Sequence, residues 1–156
     1  MKKVLFICAG NLFRSPSAEY LFNDYIGRQK IPDLVAHSAG TVAYSRKAHT
    51  LTTQILLENG IDAREHKPKK LTREHLKEAA LAIAMDWEVQ DETRRYLCWE
   101  NPVPLFNEVA YGKLDDVEDI SGMFASEDEE HIRKTIKHFQ NSMPHILKNL
   151  PNYLIP

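Results

Sequence analysis

A chain of 156 residues, 43% apolar and 27% charged, has the length and composition of one globular domain, taken here as residues 1–156. Its net charge of −2 excludes the broad basic surface that nucleic acid or an anionic membrane calls for, so a bound anion needs a local positive field. Two cysteines, Cys8 and Cys98, are too few for a disulfide framework, and no apolar stretch is long enough to span a membrane, which makes a reducing cytoplasm the default.

The apolar run at the N-terminus is only about five residues and then meets Gly10, Asn11 and Arg14. A signal peptide needs roughly 7–15. Val4 to Ile7 therefore reads as a central strand covered on both faces. Ala18, Leu21, Phe22, Tyr25 and Ile26 follow at i, i+3, i+4, i+7 and i+8, one face of a helix, with Pro16 in its first turn and Gly27 near its end. A second strand is predicted from Leu34 to Ser38, then a turn at Ala39-Gly40-Thr41. A helix from Leu51 to Asn59 stops at Gly60.

Thr72 caps a further helix carrying His75 and Leu76. Leu81 to Met85 is the third strand, with Asp86 at its end. A short helix near Glu92–Tyr96 and a fourth strand from Val103 to Phe106 follow. The last helix opens on a capping box, Ser126 with Glu129, and turns Ile132, Ile136, Phe139 and Met143 inward, with Pro144 as a kink or break. Strands alternating with helices specify a parallel α/β sheet. Ligands in such folds bind at the carboxyl ends of the strands, where segments 8–15, 38–44 and 115–122 fall.

The first of these segments, Cys8-Ala-Gly-Asn-Leu-Phe-Arg-Ser-Pro16, bridges a strand and a helix. Gly10 and Asn11 tolerate the left-handed backbone of a sharp turn. Turned this way, the N–H groups of Ala9, Gly10, Asn11, Leu12 and Phe13 form an anion nest, and the helix start adds its positive end. The Cys8 thiol would lose its proton more easily in that field, and Arg14 offers a planar fork for two oxygens of one phosphate. Ser15 can donate to the sulfur. The Gly-x4-Gly-Lys-Ser/Thr loop of nucleotide-binding proteins is absent, and the seven histidines make no zinc spacing, so neither metal nor cofactor is expected. Proton transfer to a leaving oxygen needs a carboxylate, and Asp115, Asp116, Glu118 and Asp119 crowd one loop.

Val4 to Glu19 resembles the opening of the low-molecular-weight protein tyrosine phosphatases. The likeness continues through His37-Ser-Ala-Gly-Thr41, Gly60-Ile-Asp62, His66, Leu71-Thr72 and Met85-Asp86. It implies a three-layer α/β fold, flavodoxin-like, with a four-stranded parallel sheet flanked by helices on both faces. It also implies hydrolysis of phosphomonoesters through a cysteinyl-phosphate. By resemblance Cys8 is the nucleophile, Arg14 the phosphate clamp and Asp119 the general acid and base, with Asp116 as runner-up. Asn11, Ser15, Ser38 and His66 match positions that support the loop, and Tyr44 matches an aromatic wall of the cleft. The implied partners are a phosphotyrosine protein or small phosphomonoester, with inorganic phosphate as product and inhibitor, and neither nucleic acid nor membrane.

Four residues depart from the family pattern. Ile120 stands where a proline follows the acid, and proline would stiffen that loop. Phe13 stands where many members carry a second cysteine that protects the nucleophile from overoxidation. Ser121 and Gly122 replace the aromatics of the opposite cleft wall. Two alternatives follow from these departures: a phosphate- or phosphoprotein-binding module without turnover, and, less well supported with only Cys98 to spare, a thiol-coupled arsenate reductase.

Overall fold

The structure is a computed structural model that describes residues 1–154. Three parallel strands form the sheet: β1 (Lys2–Cys8), β2 (Leu34–Gly40) and β3 (Leu81–Ala84), in the order β2-β1-β3. Cys8 is paired with Gly40, and Ile7 with Ala84, so the carboxyl ends of all three strands share one edge of the domain. The helices are α1 (Arg14–Arg28), α2 (Thr50–Glu58), α3 (Arg73–Glu78), α4 (Trp87–Tyr96), α5 (Phe106–Tyr111) and α6 (Ala125–Asn149), closed by a 3-10 turn at Leu150–Asn152. No helix among the described residues is long and apolar enough to cross a membrane.

Alternation along β1 divides the core. Val4, Phe6 and Cys8 face a cluster built with α1, α2, α5 and α6, where Phe6, Phe22, Phe106 and Phe139 pack ring against ring. Leu5 and Ile7 face a smaller cluster with Leu76 of α3 and Val89 of α4. Helices thus cover both faces of a parallel sheet, the expected three layers.

The expected fourth strand does not form among the described residues. Val103–Phe106 makes a single parallel bridge, Ala84 with Leu105. Its backbone explains this: Pro102 and Pro104 carry no N–H, and the Leu105 N–H is taken by Glu108 Oε2 at 3.0 Å. The segment accepts one bond from β3, Ala84 N to Pro104 O at 2.9 Å, and then turns into α5, which the sequence pattern did not reveal.

Smaller differences have local causes. β2 runs on to Gly40 because Gly40 pairs with Cys8 and with the 69–71 segment, so Ala39 and Gly40 are strand, not turn. The Ser126–Glu129 capping box is absent; α6 is capped by Phe124 with no side-chain bond. Pro144 lies inside α6 without ending it, its side facing solvent, where water can satisfy the carbonyl one turn back. Thr72 does cap α3, its Oγ1 accepting from His75 N.

Candidate active site

β1 ends at Cys8 and α1 begins at Arg14, so five residues turn the chain between them. Asn11 takes the left-handed conformation, φ 55°, and Gly10 does not. The turn is tight against the neighbouring strand: a Cβ on Gly40 would lie 2.4 Å from Ala9 O and 2.8 Å from Asn11 N. Only glycine fits there. Thr41 N and Val42 N donate to the Cys8 and Ala9 carbonyls and fasten the loop from that side.

Asn11 uses its whole bonding capacity to hold this shape. Its Nδ2 donates to Ser15 Oγ (2.8 Å) and Ser38 Oγ (2.9 Å), and its Oδ1 accepts from Lys69 N (2.9 Å). Its backbone N–H points at Cys8 Sγ (3.3 Å), and its carbonyl accepts from His66 Nε2 (3.0 Å). Ser38 Oγ passes its own proton to Glu19 Oε2 at 2.7 Å. Burial holds the His66 pKa below its ordinary value, so the neutral ring donates through Nε2. Burial likewise pushes the Glu19 carboxyl up, against Ser38 and Lys69.

Cys8 Sγ lies 2.9 Å from Ser15 Oγ, deep in the core. The sequence leads one to expect a thiol of lowered pKa. Burial dominates instead and pushes the thiol up, while Arg14 and Ser15 pull it down and Asp119 adds to the rise. Arg14 is 2% exposed. Its Nη1 donates to Asp86 Oδ2 (2.6 Å) and Val117 O (2.8 Å), and Nη2 to Asp119 Oδ2 (3.3 Å). Nε, buried, has no partner among the described residues. Burial opposes the guanidinium charge, but Cys8, Asp119 and Asp86 outweigh it and hold its pKa above the ordinary value.

Above the loop opens a cavity of about 300 Å³, lined by Cys8, Ala9, Gly10, Leu12 and Phe13 at its base. Val42, Tyr44 and His49 form one side, and Asp119, Ile120, Ser121 and Gly122 the other. Tyr44 is 82% exposed and stands at the rim. Asp116 points elsewhere: its Oδ1 accepts from Trp87 N at 3.0 Å.

The low molecular weight phosphotyrosine protein phosphatase family model matches residues 3–152. The chain belongs to this family. It is 39% identical over 90 residues to the low molecular weight protein-tyrosine-phosphatase Ptp of Acinetobacter johnsonii, covering 57% of this chain and 60% of that relative's length. The crystal structure of the low molecular weight protein tyrosine phosphatase from T. tengcongensis superposes with a TM-score of 0.84 at 30% identity, covering 95% of this chain and 99% of the other. The YwlE arginine phosphatase, in a Cys-to-Ser mutant with a phosphorylated active-site serine, gives a TM-score of 0.85 at 25% identity, covering 96% and 95%.

Of the positions expected from the sequence, Cys8, Asn11, Ser15 and Ser38 are joined by hydrogen bonds and His66 joins them through Asn11; Ala9, Gly10, Leu12 and Phe13 line the cavity beside Cys8, and Arg14 is tied instead to Asp86, Val117 and Asp119. Sequence reasoning missed Asp86, which stands just past the end of β3, where its carboxylate meets the clamp at the start of α1. It also missed Glu19, one turn along α1 from Ser15. Nothing local marks His49, Lys69 or the backbone of Val117.

Proposed function

We propose that this chain hydrolyses phosphate monoesters of the aryl type, phosphotyrosine among them. The observation that carries the reading is a nucleophile in the field of a cation with an unmet donor: Cys8 Sγ accepts from Asn11 N at the base of the cavity, and Arg14, whose charge lowers the Cys8 pKa, keeps a buried Nε with no partner among the described residues. A tetrahedral dianion supplies what both lack. Cys8 attacks phosphorus, the P–O bond to the leaving group breaks, and Asp119 protonates the departing oxygen. Asp119 then takes a proton from water, which cleaves the S–P bond and releases inorganic phosphate. The serine phosphate of the arginine phosphatase mutant supports Cys8 as the attacking position.

The apolar sides of the cleft, Leu12, Val42, Tyr44 and Ile120, favour a flat ring over a charged leaving group. Likeness to an arginine phosphatase raises phosphoarginine as a second reading. A guanidinium calls for acidic walls, and Asp119 is the single carboxylate among the cavity's lining residues. Turnover of phosphotyrosine and phosphoarginine by the pure protein separates the two.

The decisive test of the chemistry is Cys8→Ser with p-nitrophenyl phosphate. Turnover should vanish while vanadate still binds. Persistent turnover in the variant overturns the assignment, and vanadate binding by a wild-type protein without turnover favours the phosphate-binding module.

A further inference from the structure

The acid loop of this chain lacks the proline that stiffens it elsewhere in the family, yet its backbone is not left loose. Val117 is fixed at its entrance, its N–H donating to Met85 O (2.8 Å) and its carbonyl accepting from Arg14. Past that point the loop is largely exposed, and anchors at Glu118, Ser121 and Gly122 all come from one helix. His131 Nε2 lies 2.7 Å from the Glu118 carbonyl, and since a carbonyl only accepts, that nitrogen donates. Asp128, buried, accepts the Ser121 N–H at Oδ1 (3.2 Å) and the Gly122 N–H at Oδ2 (3.1 Å), with Ser121 Oγ at 3.4 Å.

Asp128 and His131 are three apart on α6, so they share one face. One grips the residue before Asp119 and the other grips the two after Ile120. The His131 ring also stands edge-on to Phe13, centroids 5.9 Å apart, so the same side chain touches the phosphate loop and the acid loop.

We infer that Asp128 and His131 are positioning residues that hold Asp119 over the phosphate loop, in the place of the rigidity a proline at position 120 would supply. Bonds to backbone on both sides of a residue restrict its φ and ψ much as a ring does, and an acid displaced by about 1 Å loses rate on the order of 100-fold. The inference rests on the reading of Asp119 as the acid. The alternative is that Asp128 only ties down the start of α6. His131 lies a turn further along and has no capping role.

The test compares kcat/KM for phosphotyrosine, whose leaving group needs a proton, with that for p-nitrophenyl phosphate, whose leaving group needs it less. Asp128→Ala and His131→Ala should each lower the first by about tenfold and the second by no more than about twofold, leaving vanadate inhibition unchanged. His131→Gln keeps the donor and should restore most of the loss, whereas Asp128→Asn keeps one of the two acceptors and should restore part of it. In an Asp119→Asn background neither Ala substitution should add a further selective loss.

Equal losses on both substrates in the Ala variants, or additive losses on top of Asp119→Asn, overturn the positioning role. Asp119→Asn serves as the reference. If it loses equally on both substrates, the acid assignment fails and the positioning role with it; if it is selective and Asp128→Ala is not, only the positioning role fails. His131→Ala, at the surface, keeps the comparison decisive where Asp128→Ala destabilises the fold.

Discussion

Arg14 and Asp86 are 72 residues apart in the chain, and Arg14 Nη1 lies 2.6 Å from Asp86 Oδ2. That bond and the Val117 carbonyl occupy Nη1, Asp119 takes Nη2, and Nε is left without a partner among the described residues. Asp86→Ala should therefore weaken vanadate inhibition and lower kcat/KM by about tenfold or more, since an almost buried cation loses its fixed partner. Asp86 Oδ1 also caps α4 through Val89 N at 2.8 Å. Asp86→Asn keeps an acceptor for that cap, so a loss of vanadate binding with little loss of thermal stability in this variant isolates the clamp.

The thiol answers to its neighbours in opposite directions. Arg14 and Ser15 lower the Cys8 pKa, and Asp119 raises it. Rates of alkylation by iodoacetamide against pH should then show a midpoint shifted up in Ser15→Ala and down in Asp119→Asn. A shift of the same sign in both variants contradicts this electrostatic balance.

Gly40→Ala tests how tightly β2 confines the loop. Its new Cβ would stand 2.4 Å from Ala9 O and 3.0 Å from Gly10 C, backbone atoms that cannot swing aside. The nest must shift, and kcat/KM for p-nitrophenyl phosphate should fall about 100-fold or more. Circular dichroism and gel filtration establish that the variant is folded.

His66 makes stability depend on pH. Its folded pKa lies below the ordinary value because it is buried, while the unfolded chain takes up a proton near pH 6.5. Its contribution is thus present above about pH 6.5 and is lost as pH falls through the folded pKa. His37 and His138 are shifted the same way, so the difference from a variant is what counts. His66→Gln, which keeps a donor for the Asn11 carbonyl, should show a shallower fall in urea midpoint between about pH 7 and pH 5 than the wild type. Parallel curves would show that His66 does not titrate on unfolding.

The sequence was most legible where chemistry is local. Cys8, the turn residue Asn11, Arg14 and Ser15 lie within eight positions, and the strand before and the helix after them leave few ways to arrange them. What was hidden depends on contacts that only the fold makes. Asp86 reads as the end of a strand until Arg14 is beside it, and Asp128 reads as one more acid in an acidic first turn until Ser121 and Gly122 meet it. Val103–Phe106 misled for a different reason: its apolar pattern fits a strand, but pattern is blind to where the N–H groups go. Glu108 and two prolines settle that question, and only the prolines are visible as a backbone rule in advance.

Those prolines have a consequence beyond the strand they prevent. β3 is one of the two outer strands of the sheet, and the segment beside it pairs with it at one residue only. An unpaired strand margin invites another chain to zip onto it and is a common origin of aggregates. Here the adjacent segment is too poor in donors to extend the ladder itself, and it lies where an incoming chain would have to dock. Pro102 and Pro104 thus act as a selvedge, finishing the sheet so that it does not continue into a second molecule. Replacing both with strand formers should therefore trade a tidier fourth strand for a stickier protein.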